Sequence, residues 1–104
     1  MFTMDTEIIF SWNIRGINNS IAHRNFTDIA RRNRANIFCL QETKCGDNSS
    51  KWLKSLSVKG QFGLSSQPSE GLSGGLITGW DLRRFKCVGL AQSKHWIWNC
   101  LMEL

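Results

Sequence analysis

The sequence predicts an α/β fold that opens with a βαβ unit, and three observations lead there. Two apolar runs, Ile8-Ile9-Phe10-Ser11-Trp12-Asn13-Ile14-Arg15-Gly16 and Ile37-Phe38-Cys39-Leu40-Gln41-Glu42-Thr43-Lys44, each end in a polar residue with reason to face a ligand. Between them lies a segment of helical periodicity with room for one helix. The joints are short, and a strand, helix and strand joined in this way imply parallel pairing through a right-handed crossover. At 104 residues the chain is expected to form one domain at most.

In residues 8–14 the positions Ile8, Phe10, Trp12 and Ile14 point one way and Ile9, Ser11 and Asn13 the other. Both sets are largely apolar, which predicts a strand covered on both faces. After Gly16 comes loop chemistry, with Asn19 or Ser20 as the helix N-cap. From Ile21 to about Asn33, Ala22, Phe26, Ile29 and Ala30 follow three- and four-residue spacing, while Arg24, Asp28, Arg31 and Arg32 lie elsewhere on the wheel. The result is an amphipathic helix with its basic end last. Arg31, Arg32 and Arg34 suit the negative end of the helix dipole, and a phosphate-binding patch explains them equally well.

Residues 36–42 form the second strand. In open α/β sheets ligands gather at the carboxyl ends of strands, and Asn13 and Glu42 both sit at such ends. A polar joint from Gly46 to Ser50 leads into a helical turn with Trp52, Leu53 and Leu56 facing inward. Gln61 to Ser65 reads as a short strand, followed by a loop with the only proline, Pro68. Ser73 to Trp80 resumes a strand pattern behind the pair Gly74-Gly75, which points to close backbone packing, a phosphate cradle being the sharper alternative. Asp81 to Arg84 reads as a hairpin turn into Phe85-Lys86-Cys87-Val88. The last stretch, His95 to Leu104, alternates with Trp96, Trp98, Cys100 and Met102 on one side, an apolar strand whose edge invites self-association.

Composition narrows the function classes. A hydrophobic share of 41% with five Trp and six Phe excludes a disordered chain, because such chains are poor in large apolar residues. A net charge of +5 favours a polyanionic partner. Cys39, Cys45, Cys87 and Cys100 lack C-x-x-C spacing, which disfavours zinc and fits reduced thiols. Residues 1–7 hold two acids and no basic residue, so no secretory signal is read there, and no run approaches the ~18 apolar residues of a membrane span. The expected setting is intracellular, nuclear or cytoplasmic, with no membrane partner.

Chemistry concentrates on two residues. Magnesium takes oxygen ligands, commonly one or two carboxylates with waters and phosphate oxygens completing its shell, and Glu42 can supply the first carboxylate. Asn13 offers a carbonyl acceptor and an NH₂ donor, suited to orienting a metal-bound water or a phosphate oxygen. The plainer readings are a solvated strand end for Glu42 and a turn cap for Asn13.

Taken together, Ser11-Trp12-Asn13-Ile14-Arg15-Gly16, Leu40-Gln41-Glu42-Thr43-Lys44 and Ser73-Gly74-Gly75-Leu76 resemble the opening of the endonuclease/exonuclease/phosphatase superfamily. The wording is most similar to the endonuclease domains of plant LINE-type retrotransposons and more distantly to abasic-site DNA endonucleases. Trp80-Asp81 and Phe85 agree in order, and the resemblance spans nearly the whole chain.

The resemblance implies the N-terminal portion of a four-layer α/β sandwich, two packed mixed sheets with outer helices, so that residues 1–104 would be a partial domain truncated at its C-terminus. It implies Mg²⁺ or Mn²⁺ as cofactor, Glu42 as metal ligand and catalytic residue, and Asn13 assisting at the metal and phosphate. Nucleic acid, DNA rather than RNA, is the implied partner; the basic residues Arg15, Lys44, Arg83 and Arg84 are read beside the resemblance as candidate contacts.

Catalysis in that family also needs a downstream Tyr, a Gly-Asp-x-Asn motif and a C-terminal Ser-Asp-His. This chain has no Tyr. Gly46-Asp47-Asn48 lies too early for the second, and His95 follows Lys94 rather than Asp. The expectation is therefore a retroelement-derived nuclease fragment, inactive alone. The alternatives are a non-catalytic basic binding protein and, within the family, a phosphatase on small phosphoesters.

Overall fold

The computed structural model describes residues 7–17, 20–45, 61–71 and 73–104. Six strands and one helix are found among them: β1 (Ile9–Asn13), α1 (Ser20–Arg32), β2 (Ile37–Gln41), β3 (Phe62–Gln67), β4 (Leu76–Asp81), β5 (Phe85–Ser93) and β6 (Trp96–Glu103). β1 and β2 pair in parallel, with Ile9 opposite Ile37 and Asn13 opposite Gln41, as strand–helix–strand connectivity requires. β4 then adds antiparallel to β2, and β3 pairs antiparallel with β4, giving a four-stranded sheet of order β1-β2-β4-β3. β5 and β6 form a separate two-stranded antiparallel sheet.

The apolar face of α1 packs on one face of the larger sheet through Phe26, with Ala22 and Ala30 beside it. Beneath it lie Phe38, Leu40 and Ile77, each no more than 2% exposed. Aromatic rings line this layer: Phe26 meets Phe38 edge-on at 4.9 Å between centroids, and Phe38 lies 5.7 Å from Phe62. At Gly79 there is no room for a side chain, because a β-carbon would overlap the Phe38 ring.

The β5–β6 sheet covers part of the opposite face. Asn99 of β6 exchanges hydrogen bonds with Ser65 of β3, and the Gln92 amide of β5 donates to the Ser66 carbonyl and the Gln67 side chain. Helix, sheet and sheet thus stack in the mixed α/β arrangement expected of this chain.

Several local expectations are corrected. β1 is not covered on both sides: Phe10 and Trp12 are half-buried toward the helix, whereas Ile9, Ser11 and Asn13 are exposed. Its apolar residues belong to an edge strand whose outer face the β5–β6 sheet leaves open. The turn at Asp81 to Arg84 exists, closed by the Arg84 amide donating to the Asp81 carbonyl at 3.0 Å. It does not make a hairpin, however, since β5 leaves the first sheet to pair with β6 in the second.

β3 begins and ends later than expected, and Asp81 closes β4 instead of opening the turn. On β6 the side carrying Trp96, Trp98 and Met102 faces outward, each about half exposed, while Ile97, Asn99 and Leu101 are half-buried. Asn19 as a cap and the helical turn around Trp52, Leu53 and Leu56 fall outside the described residues.

Candidate functional site

All three sequence motifs meet at one end of the larger sheet. The parallel pairing brings the carboxyl ends of β1 and β2 together, and antiparallel β4 starts at the same end, with Leu76 opposite Gln41. Backbone hydrogen bonding continues past the strands. Ile14 donates to Gln41, Gly16 to Glu42 at 2.7 Å and Ile17 to Thr43, while Thr43 donates to Gly75 and Lys44 to Gly74 at 2.9 Å. The segment 42–44 is therefore clamped between the loop after β1 and the glycine pair before β4.

The clamp demands unusual backbone. Arg15 (φ 53°), Glu42 (φ 52°) and Lys44 (φ 55°) are all left-handed, as are Gly16, Gly74 and Gly75. A left-handed residue other than glycine costs of order 1 kcal/mol, and such residues persist only where the surroundings over-determine them. Here the surroundings are rigid: Ile14, Ile17 and Cys45 are buried beside the clamp, joined to Leu40 and Ile77 in one core.

Glu42 follows Gln41, the register partner of Asn13. With neighbouring strands about 4.8 Å apart and a rise of about 3.3 Å per residue, the two α-carbons are separated by roughly 6 Å. Both side chains are exposed, and neither makes a side-chain hydrogen bond or ion pair among the described residues. Arg15 and Lys44 are exposed on the same end.

Two residues before Asn13, the Ser11 hydroxyl accepts a hydrogen bond from Gln41 Nε2 at 3.1 Å, which ties the two strands together near their ends. No cluster of three or more His, Cys, Asp or Glu residues capable of holding a metal is present among the described residues.

Arg83 and Arg84 lie elsewhere. They follow β4 at the opposite end of the sheet, where Arg83 grips the Asp81 carboxylate with Nε and Nη2 at 3.1 and 2.9 Å and Arg84 pairs with Glu7 at 2.9 Å. The structure thus brings Asn13, Glu42, Arg15 and Lys44 together and separates them from Arg83 and Arg84.

Thr43 was not singled out by sequence reasoning, yet it is fully buried between Glu42 and Lys44, and its hydroxyl has no hydrogen-bond partner among the described residues. A β-carbon on Gly75 would overlap that hydroxyl and come within 3.1 Å of the Lys44 amide nitrogen. Gly74 has open space instead. Close packing is the role the geometry gives Gly75, and the glycine pair was the signal for it.

The model of the Endonuclease/Exonuclease/phosphatase family matches residues 10–96. Among solved structures the chain is similar to the AP endonuclease LMAP from Leishmania major, at 20% sequence identity with a TM-score of 0.49, over 70% of this chain and 23% of that one. It corresponds to less than a quarter of that protein's length. No curated protein matches it. The family match takes in all three motifs that the sheet gathers at one end, and on that match the chain belongs to the endonuclease/exonuclease/phosphatase family.

Proposed function

We propose that this chain supplies the metal- and phosphate-facing portion of a Mg²⁺-dependent phosphodiesterase domain acting on nucleic acid. The observation that carries the reading is the meeting of exposed Asn13 and Glu42 on adjacent strand ends, held by a clamp built from the three motifs.

These residues fit a hard divalent cation, Mg²⁺ or Mn²⁺. One free carboxylate with an amide oxygen beside it, and no cage of protein ligands among the described residues, suits an ion that keeps several waters and takes phosphate oxygens as ligands. Glu42 would hold the cation. The Asn13 amide, able to donate and accept, would orient a phosphate oxygen or a water. When bound, the metal would neutralise charge on the phosphodiester and stabilise the leaving oxygen. Arg15 and Lys44 add positive charge at the same end, which draws a polyanion toward it. Preference for DNA and retroelement origin rest on the sequence resemblance.

Activity of the chain by itself is expected to be negligible. Positioning a general base and stabilising the charge of the transition state are each worth orders of magnitude in rate, and the residues that the resemblance assigns to those tasks have no counterpart here. Incubation with supercoiled plasmid and millimolar Mg²⁺ should leave the plasmid unnicked, while binding to duplex DNA weakens steeply with added salt. Mg²⁺-dependent nicking that vanishes in Glu42→Gln would overturn the inactivity. Binding indifferent to salt would overturn the polyanion partner.

A further inference from the structure

At the end of the sheet remote from Asn13 and Glu42, a cavity of about 410 Å³ opens between the C-terminus of α1 and the start of β3. Its apolar wall includes Ala30 and Phe62, and Arg31, Arg34 and Arg83 stand at it. Asp81 also lines it, but that carboxylate is buried and doubly bonded by Arg83, and Arg31 pairs with Asp28 at 3.2 Å, so among the described residues the uncompensated positive charge at the cavity is that of Arg34. An open cleft of this size is ordinary for a small-ligand site.

Two further observations point to an anionic occupant. Asn36 lines the cavity and is only 8% exposed. Its Oδ1 accepts from the Ile8 amide at 2.9 Å and its backbone groups are taken by Ile8 and Asp81. Its Nδ2 donor has no acceptor among the described residues.

Arg34 is the second. After α1 the Ala35 amide bonds back to the Ala30 carbonyl and the Arg34 amide to the Arg31 carbonyl, a helix stop that places Arg34 in the left-handed conformation (φ 52°). Glycine is the usual occupant of that position. Here the chain carries a guanidinium instead, exposed at the mouth of the cavity and without an ion pair among the described residues.

We propose that this cavity is a second ligand site, independent of the Glu42 end, for a small aromatic phosphate monoester of the size of a nucleoside monophosphate. The ring enters against the apolar wall beside Phe62. The phosphate is met by the Arg34 fork, a geometry that matches phosphate oxygens, with the Asn36 amide as an additional donor.

The test is a chemical-shift titration of the full chain with adenosine monophosphate in metal-free buffer. Three parallel titrations use inorganic phosphate, adenosine, and a 5′-phosphorylated oligonucleotide. The expected result is saturable binding of the monophosphate in the millimolar range or tighter, with shifts around Arg34, Asn36 and Phe62 and none at Asn13 or Glu42. Arg34→Gly, which suits the left-handed position and so keeps the fold, should weaken it about tenfold, the size of one charge-assisted contact.

The oligonucleotide distinguishes a free mononucleotide from a strand end: equal or tighter binding would make the strand end the source. Absence of saturable binding, shifts confined to the Asn13 end, affinity unchanged in Arg34→Gly, or inorganic phosphate or adenosine binding as tightly as the monophosphate would each overturn the proposal.

Discussion

Thr43 and Gly75 form a lock at the head of the larger sheet. The Thr43 amide donates to the Gly75 carbonyl at 3.2 Å, and the Thr43 hydroxyl fills the space that a β-carbon on Gly75 would need. Two motifs separated by some thirty residues of sequence are therefore one structural unit, and the neighbour they fix is Glu42.

Gly75→Ala should be among the more damaging substitutions of a small residue. It introduces a methyl into the Thr43 hydroxyl and forces alanine to φ near 97°. Overpacking costs about 1–3 kcal/mol and the unfavourable backbone about 1 more, so a loss of about 2–4 kcal/mol is expected by urea unfolding. In a Thr43→Ala background the same substitution should cost less, because the overlap with the hydroxyl is gone and only the closer approach to Lys44 and Ser69 remains. Equal costs in both backgrounds would show that the two residues do not interlock.

Thr43→Val tests the buried hydroxyl. An unpaired hydroxyl contributes nothing to offset its loss of hydration, so an apolar group of the same shape should leave stability unchanged or raise it. A loss above about 1 kcal/mol, measured by thermal or urea unfolding, would show that the hydroxyl is hydrogen-bonded in solution.

Acid should act on the far end of the sheet. The side-chain hydrogen bonds from Arg83 hold the Asp81 carboxyl below its ordinary value, against the opposing effect of burial. The unfolded chain titrates this group near pH 4. Across that window the folded state binds fewer protons, so the contribution is complete above about pH 4 and is lost as pH falls through the lower folded value. Arg83→Gln should flatten this acid limb, read as the slope of stability against pH. An unchanged slope would mean that Arg83 does not set the Asp81 ionisation.

Much of the fold was legible in the sequence because local pattern and tertiary role agree. The 3.6-residue spacing of Ala22, Phe26 and Ala30 marks the face of α1 that packs, and the polar ends of β1 and β2 mark the end of the sheet where the motifs meet. Parallel pairing followed from connectivity alone.

Period two in β1 was misleading, since Ile9 is apolar yet 64% exposed on an edge strand, and no pattern within one strand reports what covers it. The departure of β5 into a second sheet was equally illegible. A four-residue turn with an Asp81–Arg84 hydrogen bond serves a hairpin and a sheet change alike. Within the candidate site, Asn13 and Glu42 were legible as strand-end residues. Thr43 was not, because a buried threonine acquires its role only from the glycine pair that folds against it.

The measurement that goes most directly to the central claim is urea unfolding of the full chain followed by tryptophan fluorescence, with and without millimolar Mg²⁺. A cation bound only by the folded state raises stability with the logarithm of its concentration above the dissociation constant. If Glu42 is the metal ligand at this sheet end, the midpoint rises with Mg²⁺ in the parent chain and stays put in Glu42→Gln. A midpoint that ignores Mg²⁺, or one that rises equally in Glu42→Gln, would contradict a metal site at Glu42.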